Sequence, residues 1–305
     1  MDEKFYKKNS NIFILAVIAC LLWGSAYPSI KIGYKLFSIE AGDVYSKLVF
    51  AGYRFFIAGL IVIIYKIIRD KKAFKLNKKA ILQLIILGII QTSLQYTFFY
   101  IGLAYTTGVS GSVINGTGTF FSIIFAHFIY KNDKITKGKI IGCIMGFIGV
   151  LLVSLEGGNT AISNKILIGD ICVLLSTIMA SIANIYSKKV AQDIDPAIVT
   201  GFQLSIGGII LLVTGYVFGG KLIIYSISSI VLLIYMALIS SVAFLVWTQL
   251  LKYNKVSKIA LFNFLIPVFG TILSGIFLGE NIFRINVLLA IILVSFGIAL
   301  ANIEK

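Results

Sequence analysis

Trp23, Tyr27 and Lys31 recur at four-residue spacing, which on a helix sets two aromatic rings and a cation along one stripe. Gln91 and Gln95 share that spacing, with Tyr96 and Tyr100 beside them, and a later segment offers Ser240, Trp247, Thr248 and Gln249. Aromatic faces hold cations and apolar bodies while amides fix polar ends, so the mixture suits a small amphipathic solute. Hydrogen bonding between packed helices would use the same residue types. Ser112, Asn115 and Thr119 line a further face among Gly108, Gly111, Gly116 and Gly118, and Asn263 precedes Pro267. Helices distorted at such places free backbone groups that can coordinate solutes. Asn184 shares a face with Ser181 and Thr177.

Covalent chemistry has no comparable support. No paired buried carboxylates, no His/Glu metal spacing and no serine beside a base stand out. The glycines near 116 lack the Gly-Lys-Ser/Thr ending of a phosphate loop. His127 is the single histidine, read as a satisfied interfacial imidazole without metal partners. Cys20, Cys143 and Cys172 fall inside apolar runs, where they read as packing residues. The expectation is a protein with no catalytic residues, metal or cofactor.

The elements that must position these residues follow from composition. The chain is 59% hydrophobic and 13% charged, with a mean hydropathy of +0.99, which places it in a lipid bilayer. A spanning helix needs about 20 apolar residues, because its backbone must bond to itself across the hydrocarbon. Runs at approximately 12–36, 44–68, 80–103, 108–130, 138–156, 166–189, 196–219, 225–251, 256–279 and 282–303 meet or approach that length. The expected fold is an all-α integral membrane protein of ten transmembrane helices. The opening MDEKFYKKNS is charged like a signal peptide, but the apolar run behind it is long enough to read as an uncleaved first helix. The net charge of +15 is spread over short loops, which argues against a nucleic-acid partner.

Sidedness and repetition shape the expectation further. With the N-terminus inside, Lys4, Lys7, Lys8, the cluster Lys66 to Lys79, Lys131 to Lys139, Lys188, Lys189, Lys252, Lys255 and Lys258 become cytoplasmic. Lys35, Lys47, Lys165, Lys221 and Arg284 fall on the opposite side. This bias predicts a multi-pass protein of the cell membrane with both termini cytoplasmic. Arg54 with the residues after it aligns with Gln203 about 149 residues later, and Ala104-Tyr105 with Lys252-Tyr253, Asp133 with Glu280, and Gly149 with Gly297 follow in order. Residues 1–156 and 157–305 are therefore expected to form two five-helix repeats, inverted because each has an odd number of spans.

Inside hydrocarbon, Arg54 and Lys31 are costly unless solvated. Lys31 reads as a snorkelling or gating cation, and Arg54 as helix-packing first, with attraction of an anionic solute group as the alternative. Gly142 and Gly146 make a GxxxG pair for close packing, expected against span ten of the same chain, with a homodimer contact as the alternative. Glu40, Asp43, Glu156, Asp170 and Glu280 map near outer ends, so no carboxylate proton relay is expected at the midplane.

Trp23-Gly24-Ser25, Arg54-Phe55, Gly102-Leu103-Ala104-Tyr105, Gly169-Asp170, Pro267 and Gly279-Glu280, taken in order, resemble the EamA family of the drug/metabolite transporter superfamily over essentially the whole chain. Gly116-Thr117-Gly118-Thr119 stands about where that family carries a proline, and Asp133 where it carries glutamate, which predicts a different bend in span four. The resemblance implies alternating-access transport of small metabolites, frequently outward, with amino acids leading and sugars, nucleotide sugars or organic cations as alternatives. A non-transporting metabolite sensor or intramembrane enzyme is the reading from another class. On the residues, Trp23, Tyr27, Gln91, Gln95, Tyr96, Tyr100, Asn115, Thr119, Asn184, Trp247 and Asn263 are the expected solute contacts, and Lys31, Arg54, Pro267, Gly142 and Gly146 the gating or packing positions.

Overall fold

The computed structural model describes residues 3–70, 76–106, 111, 114–154, 164–279 and 285–303. Gly108, Ser112, Glu156, Glu280 and Arg284 lie outside the described residues. Among those described, all regular structure is helical. After a short turn at Glu3–Lys7 come α1 (Asn9–Leu36), α2 (Val44–Arg69), α3 (Lys78–Tyr105), α4 (Ile114–Ile129), α5 (Lys137–Ser154), α6 (Asn164–Asp193), α7 (Pro196–Val217), α8 (Ile227–Tyr253), α9 (Val256–Leu278) and α10 (Ile285–Ile303).

These segments are helical because long apolar runs leave the backbone no other way to satisfy its hydrogen bonds in hydrocarbon. Their starts carry side-chain caps: Asp43 accepts from Ser46 N at 2.9 Å, Asn77 from Ala80 N at 2.8 Å, and Asp195 from Ala197 N at 2.8 Å ahead of Pro196. Ser226 and Ser229 cap α8 reciprocally. Gly279, at φ 72°, ends α9 in the left-handed conformation that glycine adopts without strain.

Among the described residues, seven helices are long and apolar enough to cross a membrane: α1, α2, α3, α6, α7, α8 and α9. Two more apolar stretches, Ile114–Ile129 and Leu288–Ala301, are shorter. Large apolar side chains such as Phe128, Ile227, Ile68 and Val217 project outward. A helix bundle that is greasy on its outside is built for lipid, and the protein is a multi-pass membrane protein.

Three helices are not uniform. α3 carries a π segment at Gly88–Leu94, α9 a 3₁₀ turn at Leu261–Phe264 just before Pro267, and α4 a break at Thr117. The last lies in the Gly116–Thr119 stretch where a different bend was expected. α1 also contains the buried Pro28, whose missing N–H takes one hydrogen bond out of the helical ladder.

Small residues let the helices touch backbone to backbone. A methyl group added to Gly59 of α2 would lie 2.2 Å from Ser205 Oγ and 2.6 Å from Gly201 O of α7, and one on Gly208 would lie 2.5 Å from Phe56 N and 3.0 Å from Gly52 O. α5 meets α10 similarly, through Gly142 against Gly297 and Gly149 against Ala290. Within the chain, then, Gly142 meets α10 while Gly146 meets the Phe264 ring of α9.

Candidate functional site

The helices bring one group of the expected residues together. The Trp23 ring of α1 meets Phe244 and Trp247 of α8 edge-on, with centroids 5.2 and 5.0 Å apart. Trp247 donates through Nε1 to Asn184 Oδ1 of α6 at 3.3 Å. Phe55 of α2 continues the array, 6.3 Å from Phe244 and 4.4 Å from Tyr96 of α3, and Tyr100 follows one turn on. Trp23 packs against both of the larger hydrophobic clusters, so it sits where they meet. Edge-to-face rings of this kind give a stiff apolar wall with few rotatable bonds.

A polar group at this wall is left open. Trp23 Nε1 is buried without a hydrogen-bond partner, and the Tyr100 hydroxyl is buried with the Tyr34 hydroxyl and the Arg54 guanidinium beside it. A buried group without a partner costs free energy unless water or a solute satisfies it. Arg54, 2% exposed, donates from Nε to Ser240 Oγ at 2.8 Å and lies 5.0 Å from the Phe55 ring centroid. Tyr235 donates to Ser25 Oγ at 3.0 Å, tying α8 to α1 just beyond Trp23.

Tyr27, one turn from Trp23, packs over Gly270 of α9 and pairs with Asn115 of α4. Thr119 is engaged with the Ala260 carbonyl at 3.3 Å, and Asn263 stands half-buried in the 3₁₀ turn of α9. Gln91 lies in the π segment, where one extra residue per turn breaks the helical period that put it in line with Gln95. It is buried with Oε1 unpartnered, while Gln95 is half-buried. Lys31 is exposed, and Pro267 accepts from Thr271 Oγ1 at 2.9 Å. His127 is satisfied: its Nδ1 accepts from Ile135 N at 3.0 Å.

Sequence reasoning passed over Tyr34, Phe244 and Gln203. Gln203 is fully buried on α7 with both amide atoms unpartnered, and the Thr92 and Ser205 hydroxyls are buried without partners as well. Its place about 149 residues after Arg54 was the available signal. A cavity of about 130 Å³ between α4 and α5, lined by Phe120, Ile123, Lys139 and Cys143 among others, lies apart from the tryptophans and is almost wholly apolar.

At the end of the bundle that carries the N-terminus, Asp133, between α4 and α5, reaches the start of α9. Its side chain is fully enclosed, with Lys139 Nζ at 2.8 Å from Oδ1 and Ser257 N at 3.0 Å from Oδ2, and the Ser257 hydroxyl donating as well. Burial pushes the Asp133 carboxyl up, but these hydrogen bonds and the Lys139 charge outweigh it and hold it below the usual carboxylate range.

An aromatic-walled centre inside a multi-pass helical bundle defines a membrane protein that accommodates a solute between its helices. The model of the EamA-like transporter family matches residues 10–155 and again 167–303. The chain belongs to that family and is a transmembrane transporter by kinship. The uncharacterized transporter YyaM of Bacillus subtilis is 30% identical over 275 residues, 88% of this chain and 86% of that one. A second from the same organism, YvbV, is 27% identical over 307 residues, 96% and 92% of the two chains. A solved crystal structure superposes with a TM-score of 0.81 over 98% of this chain and 100% of its own, at 15% identity, which speaks to fold alone.

Proposed function

We propose that the protein spans the cell membrane ten times, with both termini cytoplasmic, and exports small amphipathic metabolites such as amino acids by alternating access. The observation that carries the reading is the Trp23–Phe244–Trp247–Asn184 array, with an open polar group on an aromatic wall where α1, α6 and α8 converge.

The inverted repeat, residues 1–156 against 157–305, has independent support. Gly52 and Gly59 correspond to Gly201 and Gly208 at a separation of about 149 residues, and the Gly59–Gly201 approach is matched by the Gly208–Gly52 approach. The Gly142–Gly297 and Gly149–Ala290 approaches of α5 and α10 are related likewise. Reciprocal contacts of this kind are what a two-fold axis in the membrane plane generates, and halves so related can rock around a fixed central site.

The test is flux from proteoliposomes loaded in turn with labelled amino acids, sugars, nucleosides and organic cations. Saturable release of amino acids, lost in Trp23→Ala and Gln95→Ala variants that remain folded in the membrane, is the expected result. Unchanged flux in both variants would reject this site.

A further inference from the structure

We infer that Arg54 is the docking point for a carboxylate on the solute held at the central array, so that the ligand class is a monoanionic or zwitterionic molecule with an apolar or aromatic body. The inference rests on the central aromatic array being the solute site. Arg54 is among the largest fully buried side chains of the protein, and none of the ion pairs among the described residues involves it. A buried guanidinium without an anion is costly, and its complement is a negative charge brought from outside.

Among the described residues the group is met by the neutral hydroxyls of Ser240 and Tyr100 and by no carboxylate. A guanidinium has five N–H donors in a planar fork. Ser240 takes the Nε donor, and since the Ser240 hydroxyl itself donates to the Met236 carbonyl at 2.8 Å, it is fixed as an acceptor. The end carrying the two terminal nitrogens is the edge a carboxylate grips bidentately. The Tyr100 hydroxyl, 1% exposed, stands against the guanidinium and the Tyr34 hydroxyl. It supplies a further donor to an anion seated there.

The surroundings set the rest of the class. Phe55, next to Arg54 in the chain, joins the guanidinium to Tyr96 and Phe244 and through them to both tryptophans, so an apolar body attached to the carboxylate has an aromatic wall to lie on. Lys47, two turns earlier on α2, is also buried, with its ammonium 5.3 Å from the Tyr34 ring centroid and bonded to the Ala41 carbonyl. Lys47, Tyr34 and Arg54 thus make a cationic and aromatic stripe leading from the end of α2 to the array. One guanidinium suits one carboxylate, whereas a sugar phosphate or nucleotide would call for several cations at the same point.

Both tryptophans of the chain belong to the array, so intrinsic fluorescence of the purified full-length protein reads occupancy without flux. Titration with phenylalanine, phenylalaninamide and phenethylamine is expected to show the carboxylate binding about 10- to 100-fold tighter than the other two, as befits a buried charged hydrogen-bond pair. Arg54→Gln erases that preference and Arg54→Lys keeps part of it. Ser240→Ala, which leaves the charge in place, narrows it by about 2- to 10-fold and carries the test if Arg54→Gln does not fold. Equal binding of acid and amide by the wild type, or an undiminished preference in folded Arg54→Gln, overturns the inference. So does a fluorescence response to chloride alone with which phenylalanine does not compete, since the anion would then be inorganic. The same compounds in the flux assay separate the two readings. Carboxylate-selective binding without flux ends the transport reading and leaves this one standing, and flux indifferent to the carboxylate does the reverse.

Discussion

Replacing Asp133 by alanine is expected to destabilise the protein by about 3–5 kcal/mol, the range for stripping one partner from a buried ion pair. The change strands Lys139, whose side chain is 8% exposed and keeps only the Lys134 carbonyl at 2.6 Å. It also removes the acceptor of the Ser257 N–H and hydroxyl, leaving the first turn of α9 uncapped. Asp133→Ala/Lys139→Met removes both charges, and most of the loss is expected to return, because much of the single-variant cost is the uncompensated ammonium. The assay is thermal unfolding of the purified protein in detergent. At about 2–4 °C per kcal/mol, Asp133→Ala lowers the transition by roughly 10 °C and the double variant by less than half as much. A single variant that melts with the wild type, or a double variant that melts lower still, would refute the argument that the pair is held together against desolvation.

The same carboxyl sets a pH dependence. Its folded pKa is depressed, so its stabilisation is present above the unfolded value of about 4 and lost as pH falls through the folded value. The unfolding temperature should be level from about pH 7 to 5 and fall below about pH 4, more shallowly in Asp133→Asn, by differential scanning fluorimetry. Gly59→Ala should cost about 1–3 kcal/mol, because its methyl would meet Ser205 N at 2.5 Å and α2 must move off α7. Gly42→Ala, with nothing within 4 Å of the added methyl, is the control and should stay within about 0.5 kcal/mol, both read as shifts in the unfolding curve. Single cysteines placed at Lys131 and Lys255 of a cysteine-free variant should react with an impermeant maleimide only in inside-out vesicles, and one at Ser226 only in intact cells. Any other pattern contradicts the proposed orientation.

Much of the architecture was legible before the fold. Helix limits at Val44–Arg69 or Pro196–Val217 lie within a few residues of the apolar runs, since the polar residue that ends a run also caps the helix. The pairing of Gly142 with α10 was likewise readable, because a small-residue stripe has little other use in a bilayer. Trp23, Asn184 and Trp247 were readable one by one as interior candidates, because polar and aromatic residues are rare in lipid-bound helices, but their mutual contacts came from the fold.

Other features were decided only by the tertiary structure. The π segment at Gly88–Leu94 breaks a period that the sequence implies, and it depends on α3 packing against α7, where Gly207 admits Thr92. Which partner Arg54 has is equally a matter of three dimensions: Ser240 lies 186 positions away, and no local pattern says that an acid is missing beside a guanidinium. The sequence by itself determined that this chain dissolves in a bilayer as a bundle of helices, because hydrophobicity and run length are local and additive. The folded bundle decided which polar groups are left unsatisfied at its centre, because that depends on distant helices meeting, and there the capacity to hold a solute resides.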